Sequence, residues 1–177
     1  MRIAFHAPLK APDHPVPSGD RQMARLLIAT LRAGGHAVHL ASPFRSFLSA
    51  PEPELMRAVE AGAALEAARL AALWEADGRP DLLFTYHSHY KAPDLLGPRL
   101  AARFGLPYAV AEASHAAKRA KGPWAEWHRA NAAAIRSAAC TSSEAGWIAV
   151  IGIGSPSPKH ASAGHRSNAP PPRTSSA

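Results

Sequence analysis

Two histidines stand where a predicted strand ends. His87 and His89 flank Ser88, directly after the apolar segment Leu82 to Phe84. Imidazoles in a His-x-His pattern can contact a substrate hydroxyl or phosphate, or they can be two solvated loop histidines. The same pattern can bind a metal, but the sequence places no third ligand with them, so we expect no metal site.

A second group of polar side chains follows the apolar segment Tyr108 to Ala111. The group comprises Glu112, Ser114, His115, Lys118, Arg119 and Lys121. Its acid and its histidine predict a hydrogen-bonded pair near a substrate, and its cations suit a phosphate. The plainer interpretation is a solvated basic loop.

The third candidate site is Ser18-Gly19-Asp20, which precedes an amphipathic helix. Free backbone N–H groups and the helix dipole make such a position an anion site, and Gly19 would let a phosphate or a sugar come close to the backbone. The alternative is that Ser18 or Asp20 only caps the helix, and the two roles are compatible.

Four further side chains have a plainer interpretation. Trp124 and Trp127 are typical of packing in a core or at a domain interface, with sugar stacking as the lesser alternative. His6 either lines a cleft or is a core histidine. Cys140 has no base placed near it by the sequence, so we do not expect a nucleophile.

The elements that must position these residues alternate between strands and helices. We predict strands at 3–7, 38–40, 82–84 and 108–111, and helices at 23–31, 51–77, 95–104 and 123–137. This order predicts one Rossmann-like α/β domain over residues 1–137, with a mostly parallel sheet and helices on both faces. Ligands of such folds sit at the carboxyl ends of the strands, and all three candidate sites fall there.

Composition excludes several classes of protein. Residues 1–137 contain 17 Lys and Arg against 12 Asp and Glu, a net charge of +5 that is scattered along the chain. Such an excess can attract phosphates or an anionic membrane surface, but it is not the basic stripe of a nucleic-acid-binding protein. A single cysteine excludes an internal disulfide framework. The sequence has no membrane-spanning run and no signal peptide at its start, so we expect a cytoplasmic protein.

Composition changes abruptly after Ser137. Sixteen leucines precede this point and none follows it, and residues 138–177 are rich in Ser, Pro, His and Gly. Such a segment cannot bury enough apolar surface to order itself, so we expect a disordered tail. Because the change falls where a fifth strand is due, we favour an out-of-frame translation product over a natural tail.

Five segments carry a resemblance to a known family. Met1 to Phe5, the Pro-rich loop with Pro17-Ser18-Gly19-Asp20, and Ala33 to Val38 resemble the opening of the GT-B retaining glycosyltransferases known as glycosyl transferases group 1. Pro80 to His89 resembles that family's third-strand segment, and Leu106 to Glu112 resembles the strand that follows it.

The resemblance implies an acceptor-side domain that works with a second, donor-binding domain. It implies a nucleotide sugar and a glycan or lipid-linked acceptor as partners, peripheral membrane contact as a further option, and no cofactor. It implies that the acceptor cleft is lined by His87, His89, Glu112, Ser114, His115 and Lys118. It also implies that Ser18, Gly19 and Asp20 lie near the donor phosphates.

This sequence departs from the family in two ways: one glycine stands in place of the glycine-rich loop, and the donor-binding domain with its paired glutamates is missing. We therefore expect a glycosyltransferase half that is inactive alone, with no catalytic residue assigned. The alternative is a non-catalytic binding module whose exposed Leu and Trp surface pairs with a separate partner domain.

Overall fold

The computed structural model describes residues 1–141. The predicted tail covers residues 138–177. Within it Cys140–Thr141 pairs with Ala109 and Val110 as a short strand, so the sheet extends past Ser137, and residues 142–177 lie outside the described residues. The strands are β1 (Arg2–His6), β2 (Ala37–Ser42), β3 (Leu82–Ser88), β4 (Tyr108–Ala113) and β5 (Cys140–Thr141). The helices are α1 (Gly19–Ala33), α2 (Pro53–Asp77), α3 (Gly97–Phe104) and α4 (Ala125–Ser137), and a short 3-10 turn spans Ala117–Arg119. None of the helices among these residues has the length and apolar character needed to cross a membrane.

The strands form one parallel sheet in the order β2-β1-β3-β4-β5. The chain steps from β1 to β2 in one direction and from β2 to β3 in the other. Because parallel crossovers are right-handed, this reversal places α1 on one face of the sheet and α2 on the other. The predicted α/β class, with a parallel sheet and helices on both faces, is confirmed.

Side-chain alternation along β1 divides the core into two layers. Ile3 and Phe5 are fully buried in the layer that contains α1, whereas Ala4 is fully buried in the layer that contains α2 and α3. Adjacent residues of a strand point to opposite faces, so a short apolar strand that is buried on both sides supports both layers.

Two strand ends lie further along the chain than predicted in a way that affects the candidate site. The polar residues after Phe84 and after Ala111 were predicted to be loops, but β3 continues to Ser88 and β4 to Ala113. The two strands stay paired because the parallel ladder continues through Tyr86 opposite Ala111 and Ser88 opposite Ala113. His87 and Glu112 therefore lie on strand ends that pairing within the sheet holds in place.

Candidate functional site

The three predicted sites converge at the carboxyl edge of the sheet, around β1, β3 and β4. This is the crevice at which the chain reverses direction, the usual ligand position in open parallel sheets. Asp20 lies in the first turn of α1, His87 is the second-last residue of β3, and Glu112 is the second-last residue of β4. We call this group of three the carboxyl-edge cluster.

His87 is the centre of the carboxyl-edge cluster. Its Nδ1 lies 2.8 Å from Asp20 Oδ1 and 4.0 Å from Glu112 Oε2. All three side chains are partly exposed to solvent. An imidazole between two carboxylates, open to water, can exchange hydrogen bonds with a ligand that carries hydroxyl groups.

His87 and Glu112 also share an unusual backbone conformation. Each has a φ of 56°, and they are the two non-glycine residues with positive φ in the described part of the chain. L-residues pay about 1–2 kcal/mol for this left-handed conformation, so the surrounding sheet must impose it. Strained residues of this kind concentrate at functional sites, and here both belong to the same cluster.

Tyr86 adds a hydroxyl to the cluster from a buried position. Burial raises the pKa of Tyr86, and the charge of Glu112 together with a hydrogen bond to its carboxylate raises it further. The phenol therefore stays protonated near neutral pH and donates to Glu112. This hydrogen bond helps to hold the glutamate side chain in place.

His89 lies beside the cluster, with its ring 5.3 Å from that of His87 and 5.8 Å from that of Tyr90. Burial lowers the pKa of His89 to about 4, with smaller effects from the charges of His87 and Lys91. The ring is thus neutral at pH 7. Its Nδ1 is buried and has no hydrogen-bond partner among residues 1–141.

A buried carboxylate, Asp94, supports the edge from below. Its Oδ2 accepts hydrogen bonds from Thr85 Oγ1 at 2.6 Å and from the Tyr108 hydroxyl at 2.7 Å. Its Oδ1 accepts from the N–H groups of Leu96 at 2.9 Å and Gly97 at 2.7 Å. One side chain thereby joins β3, β4 and the start of α3.

Two further contacts extend this buried network. His6 at the end of β1 lies 3.8 Å from the Asp94 carboxylate, and burial lowers the pKa of this histidine although Asp94 opposes the shift. The Asp94 N–H donates to Ser88 Oγ, and the Ser88 hydroxyl donates to Asn131 on α4. His6 is thus a buried residue of the layer beneath the edge, as one of its two interpretations proposed.

The remaining predicted acceptor residues form a separate group next to α4. The His115 ring lies 4.8 Å from that of His128, which is on α4. The Ser114 N–H donates to the Ser88 carbonyl, and the Ser114 carbonyl accepts from the Asn131 side-chain amide. Lys118 is exposed on the 3-10 turn.

At the start of α1, Ser18 caps the helix and the space beside Gly19 is open. Ser18 Oγ accepts from the Arg21 N–H at 3.2 Å, so Ser18 is the N-cap. A Cβ built on Gly19 would meet nothing within 4 Å. The backbone at this position is therefore accessible from solvent, although no neighbouring atom demands a glycine there.

Trp124 and Trp127 belong to the core. They are 5% and 0% exposed and pack together with Met56 in a cluster of their own. Core packing, the first interpretation of the sequence, is confirmed. The tryptophans are therefore not part of an exposed surface for a partner domain, whereas Leu65 and Leu73 of α2 are exposed.

No group of three or more His, Cys, Asp or Glu side chains within residues 1–141 could hold a metal ion. Comparison of the chain with protein-family models, with curated proteins and with solved structures finds no match.

Sequence reasoning missed Asp94, Asn131 and Tyr86. Asp94 carried a usable signal, since an aspartate after Pro93 and shortly before a helix commonly accepts hydrogen bonds from backbone N–H groups. Asn131 and Tyr86 carried no such sequence signal, because their roles depend on contacts with residues that are distant in the chain.

Proposed function

We propose that this domain is the acceptor-side half of a glycosyltransferase. It would hold a glycan or lipid-linked acceptor at the carboxyl edge, while a second domain presents a nucleotide-activated sugar. The observation that carries the proposal is the carboxyl-edge cluster, in which Asp20, His87 and Glu112 come together from three separate segments of the chain.

The chemistry of the cluster suits a ligand rich in hydroxyl groups. Carboxylates accept hydrogen bonds from sugar hydroxyls, and an imidazole can donate to one hydroxyl while accepting from another. Neutral His89 adds a group that does not attract anions, whereas Asp20 and Glu112 repel them. The cluster itself therefore favours a neutral sugar over a phosphate.

Sugar transfer also requires that the acceptor be held in one orientation while the second domain closes. The rigidity of the edge supports this role. Asp94 ties the two strands that carry His87 and Glu112, and Tyr86 fixes the glutamate. A site on sheet-supported strand ends is better pre-organised than one on mobile loops.

A non-catalytic binding module is the second candidate, and one observation favours it. Three leucines of α2 remain between 43% and 74% exposed: Leu55, Leu65 and Leu73. Exposed apolar side chains at this density can form an interface with a partner domain. This candidate predicts partner binding that does not depend on the carboxyl-edge cluster.

The two candidates are separated by sugar binding. We would measure the affinity of the purified 177-residue chain for a panel of oligosaccharides and glycolipid headgroups by saturation-transfer NMR. The same panel would be run with Glu112→Gln and with the matched control Glu75→Gln, which removes an exposed charge on α2. We expect binding that Glu112→Gln weakens about tenfold and Glu75→Gln leaves unchanged.

Turnover provides an independent check. Because donor binding is assigned to a second domain, the purified chain should not transfer sugar from any nucleotide sugar. Turnover by the chain alone would refute the assignment of these residues as an acceptor-side half. Absence of any sugar binding, or equal loss in both variants, would favour the binding module instead.

A further inference from the structure

A basic turn follows β4 and leads to α4. We give this name to residues 114–122, which contain Lys118, Arg119 and Lys121 and no acidic residue, a formal charge of +3. The turn starts at the carboxyl end of β4, so it adjoins the edge of the sheet that carries Glu112. The basic turn therefore attracts anions, in contrast to the carboxyl-edge cluster, whose carboxylates repel them.

Arg119 is the cation of the basic turn that the fold holds in place. Its guanidinium carbon lies 5.1 Å from the centre of the Tyr90 ring, which is the distance of a cation–π contact. The side chain is partly buried, whereas Lys118 and Lys121 are exposed. A guanidinium that stacks on a ring keeps its N–H donors in its own plane, so stacking orients the group and leaves its edges for an anion.

Among residues 1–141, Arg119 has no anionic partner. The ion pairs in this part of the chain involve other basic side chains: His6, Arg69, His87 and Arg103. Arg119 Nε is buried and has no hydrogen-bond partner among the same residues. Because buried N–H groups are rarely left unpaired, this donor points to an acceptor that joins the side chain from outside these residues.

A row of aromatic rings connects Arg119 with the carboxyl-edge cluster. The rings of His87 and His89 are 5.3 Å apart, and those of His89 and Tyr90 are 5.8 Å apart. Arg119 follows at 5.1 Å from Tyr90, so three steps of less than 6 Å separate it from the histidine at the centre of the cluster. A ligand with one or two sugar rings can extend along this row from the cluster toward Arg119.

Lys91 adds a fourth cation beside the same rings, and charge then decides the class of anion. The rings of Tyr90 and Trp124 are 5.5 Å apart, and Lys91 Nζ lies 5.8 Å from the centre of Trp124. A phosphate ester carries up to two negative charges and several acceptor oxygens, so it gains more from several cations than a carboxylate does. Phosphate also matches the forked donors of arginine.

We propose that the basic turn binds a phosphate group of the acceptor, with Arg119 as its main contact, while the carboxyl-edge cluster binds sugar hydroxyls. The ligand class is a glycan that carries a phosphate ester, either free in solution or within a lipid headgroup. This inference rests on the proposed function, because it places both parts of one acceptor at the same edge of the sheet.

The test compares matched ligands in NMR titrations of the purified 177-residue chain. Maltose supplies hydroxyls alone, maltose 1-phosphate adds the phosphate, maltobionate carries a carboxylate at the corresponding end, and inorganic phosphate lacks the sugar. We expect maltose 1-phosphate to bind about tenfold more tightly than each of the others, as a charged hydrogen bond provides. It should shift the amides of the basic turn together with those around His87.

Variants of Arg119 separate its contribution from that of the cluster. Arg119→Gln should remove the tenfold gain and leave the affinity for maltose unchanged. Arg119→Lys keeps the charge without the planar fork, so it should retain only part of the gain. The matched control is Arg129→Gln, which removes an exposed cation of α4 and should bind maltose 1-phosphate like the unmodified chain.

A lipid arm distinguishes the two sources of the phosphate. Vesicles of phosphatidylcholine with phosphatidylglycerol carry a phosphate ester in a polyol headgroup. Vesicle binding that Arg119→Gln abolishes would assign the acceptor to a lipid, whereas a gain seen with maltose 1-phosphate alone would assign it to a soluble ester.

Several results would overturn the proposal. These are an equal gain with maltobionate, a gain that persists in Arg119→Gln, or no binding of maltose 1-phosphate up to about 10 mM together with no vesicle binding that depends on Arg119. The proposed function would survive each of them if neutral oligosaccharides still bind in a manner that depends on Glu112. Loss of all sugar binding would overturn both.

Discussion

Replacing Asp94 should show how strongly the fold depends on one buried carboxylate. The side chain is 2% exposed and accepts hydrogen bonds from four donors, two hydroxyls and two backbone N–H groups. In Asp94→Ala these donors lose their acceptor in a place that water does not reach. A buried donor left unsatisfied costs about 1–3 kcal/mol, and the hydroxyls can rotate toward other partners while the N–H groups cannot.

The two N–H groups alone therefore predict a loss of about 4 kcal/mol for Asp94→Ala, a large share of the about 5–15 kcal/mol that stabilises a typical domain. Asp94→Asn behaves differently, because its amide oxygen can still accept from Leu96 and Gly97 and only the hydroxyls must adapt. We expect a loss of about 1–2 kcal/mol for this variant.

The assay is urea unfolding followed by tryptophan fluorescence, with Asp77→Ala at the exposed end of α2 as the control. The control should change the free energy of unfolding by less than about 0.5 kcal/mol. Equal losses in the Ala and Asn variants, or a loss below about 1 kcal/mol in Asp94→Ala, would refute the assignment of Asp94 as the main acceptor beneath the edge.

Three other predictions concern backbone strain, packing and pH. His87→Gly should be about 1 kcal/mol more stable than His87→Ala, because both variants lose the contact with Asp20 and only glycine relieves the strain of the positive φ. A greater free energy of unfolding for the alanine variant than for the glycine variant would contradict the strain. Gly97→Ala should lower the free energy of unfolding by about 2 kcal/mol or more in urea, since its Cβ would overlap the Asp94 carboxylate, and a neutral effect would show that the site can relax. Because the pKa of His89 is about 4 when folded and near 6.5 when unfolded, protons bind the unfolded chain preferentially and stability should fall as pH drops from 6.5 toward 4. His89→Asn should reduce that slope in urea unfolding measured across this pH range, and an unchanged slope would contradict the depressed pKa.

The sequence predicted the fold well because its signals are local. Apolar residues at strand or helix spacing marked the elements within a few residues. The strand order could not be predicted, since nothing local says that β2 takes the outer position and β1 the inner one. The positions of β1 and β2 depend on which face of the sheet each connecting helix covers.

The candidate site was predicted in its segments but not in its pairings. The rule that ligands meet strand carboxyl ends selected the segments that carry Asp20, His87 and Glu112, and the structure brings these three side chains together. It did not pair them, and the sequence suggested Glu112 with His115 because those residues are neighbours in the chain. The structure places His87 within 4.0 Å of both carboxylates, and its contact with Asp20 joins residues 67 positions apart in the chain.

The most direct test of the central claim is a map of amide shifts when the 177-residue chain is titrated with an oligosaccharide that it binds. An acceptor held at the carboxyl edge should shift the amides around His87, His89 and Glu112, and Glu112→Gln should weaken that response. Shifts confined to the exposed faces of α1 and α2, with the carboxyl edge unchanged, would contradict the account.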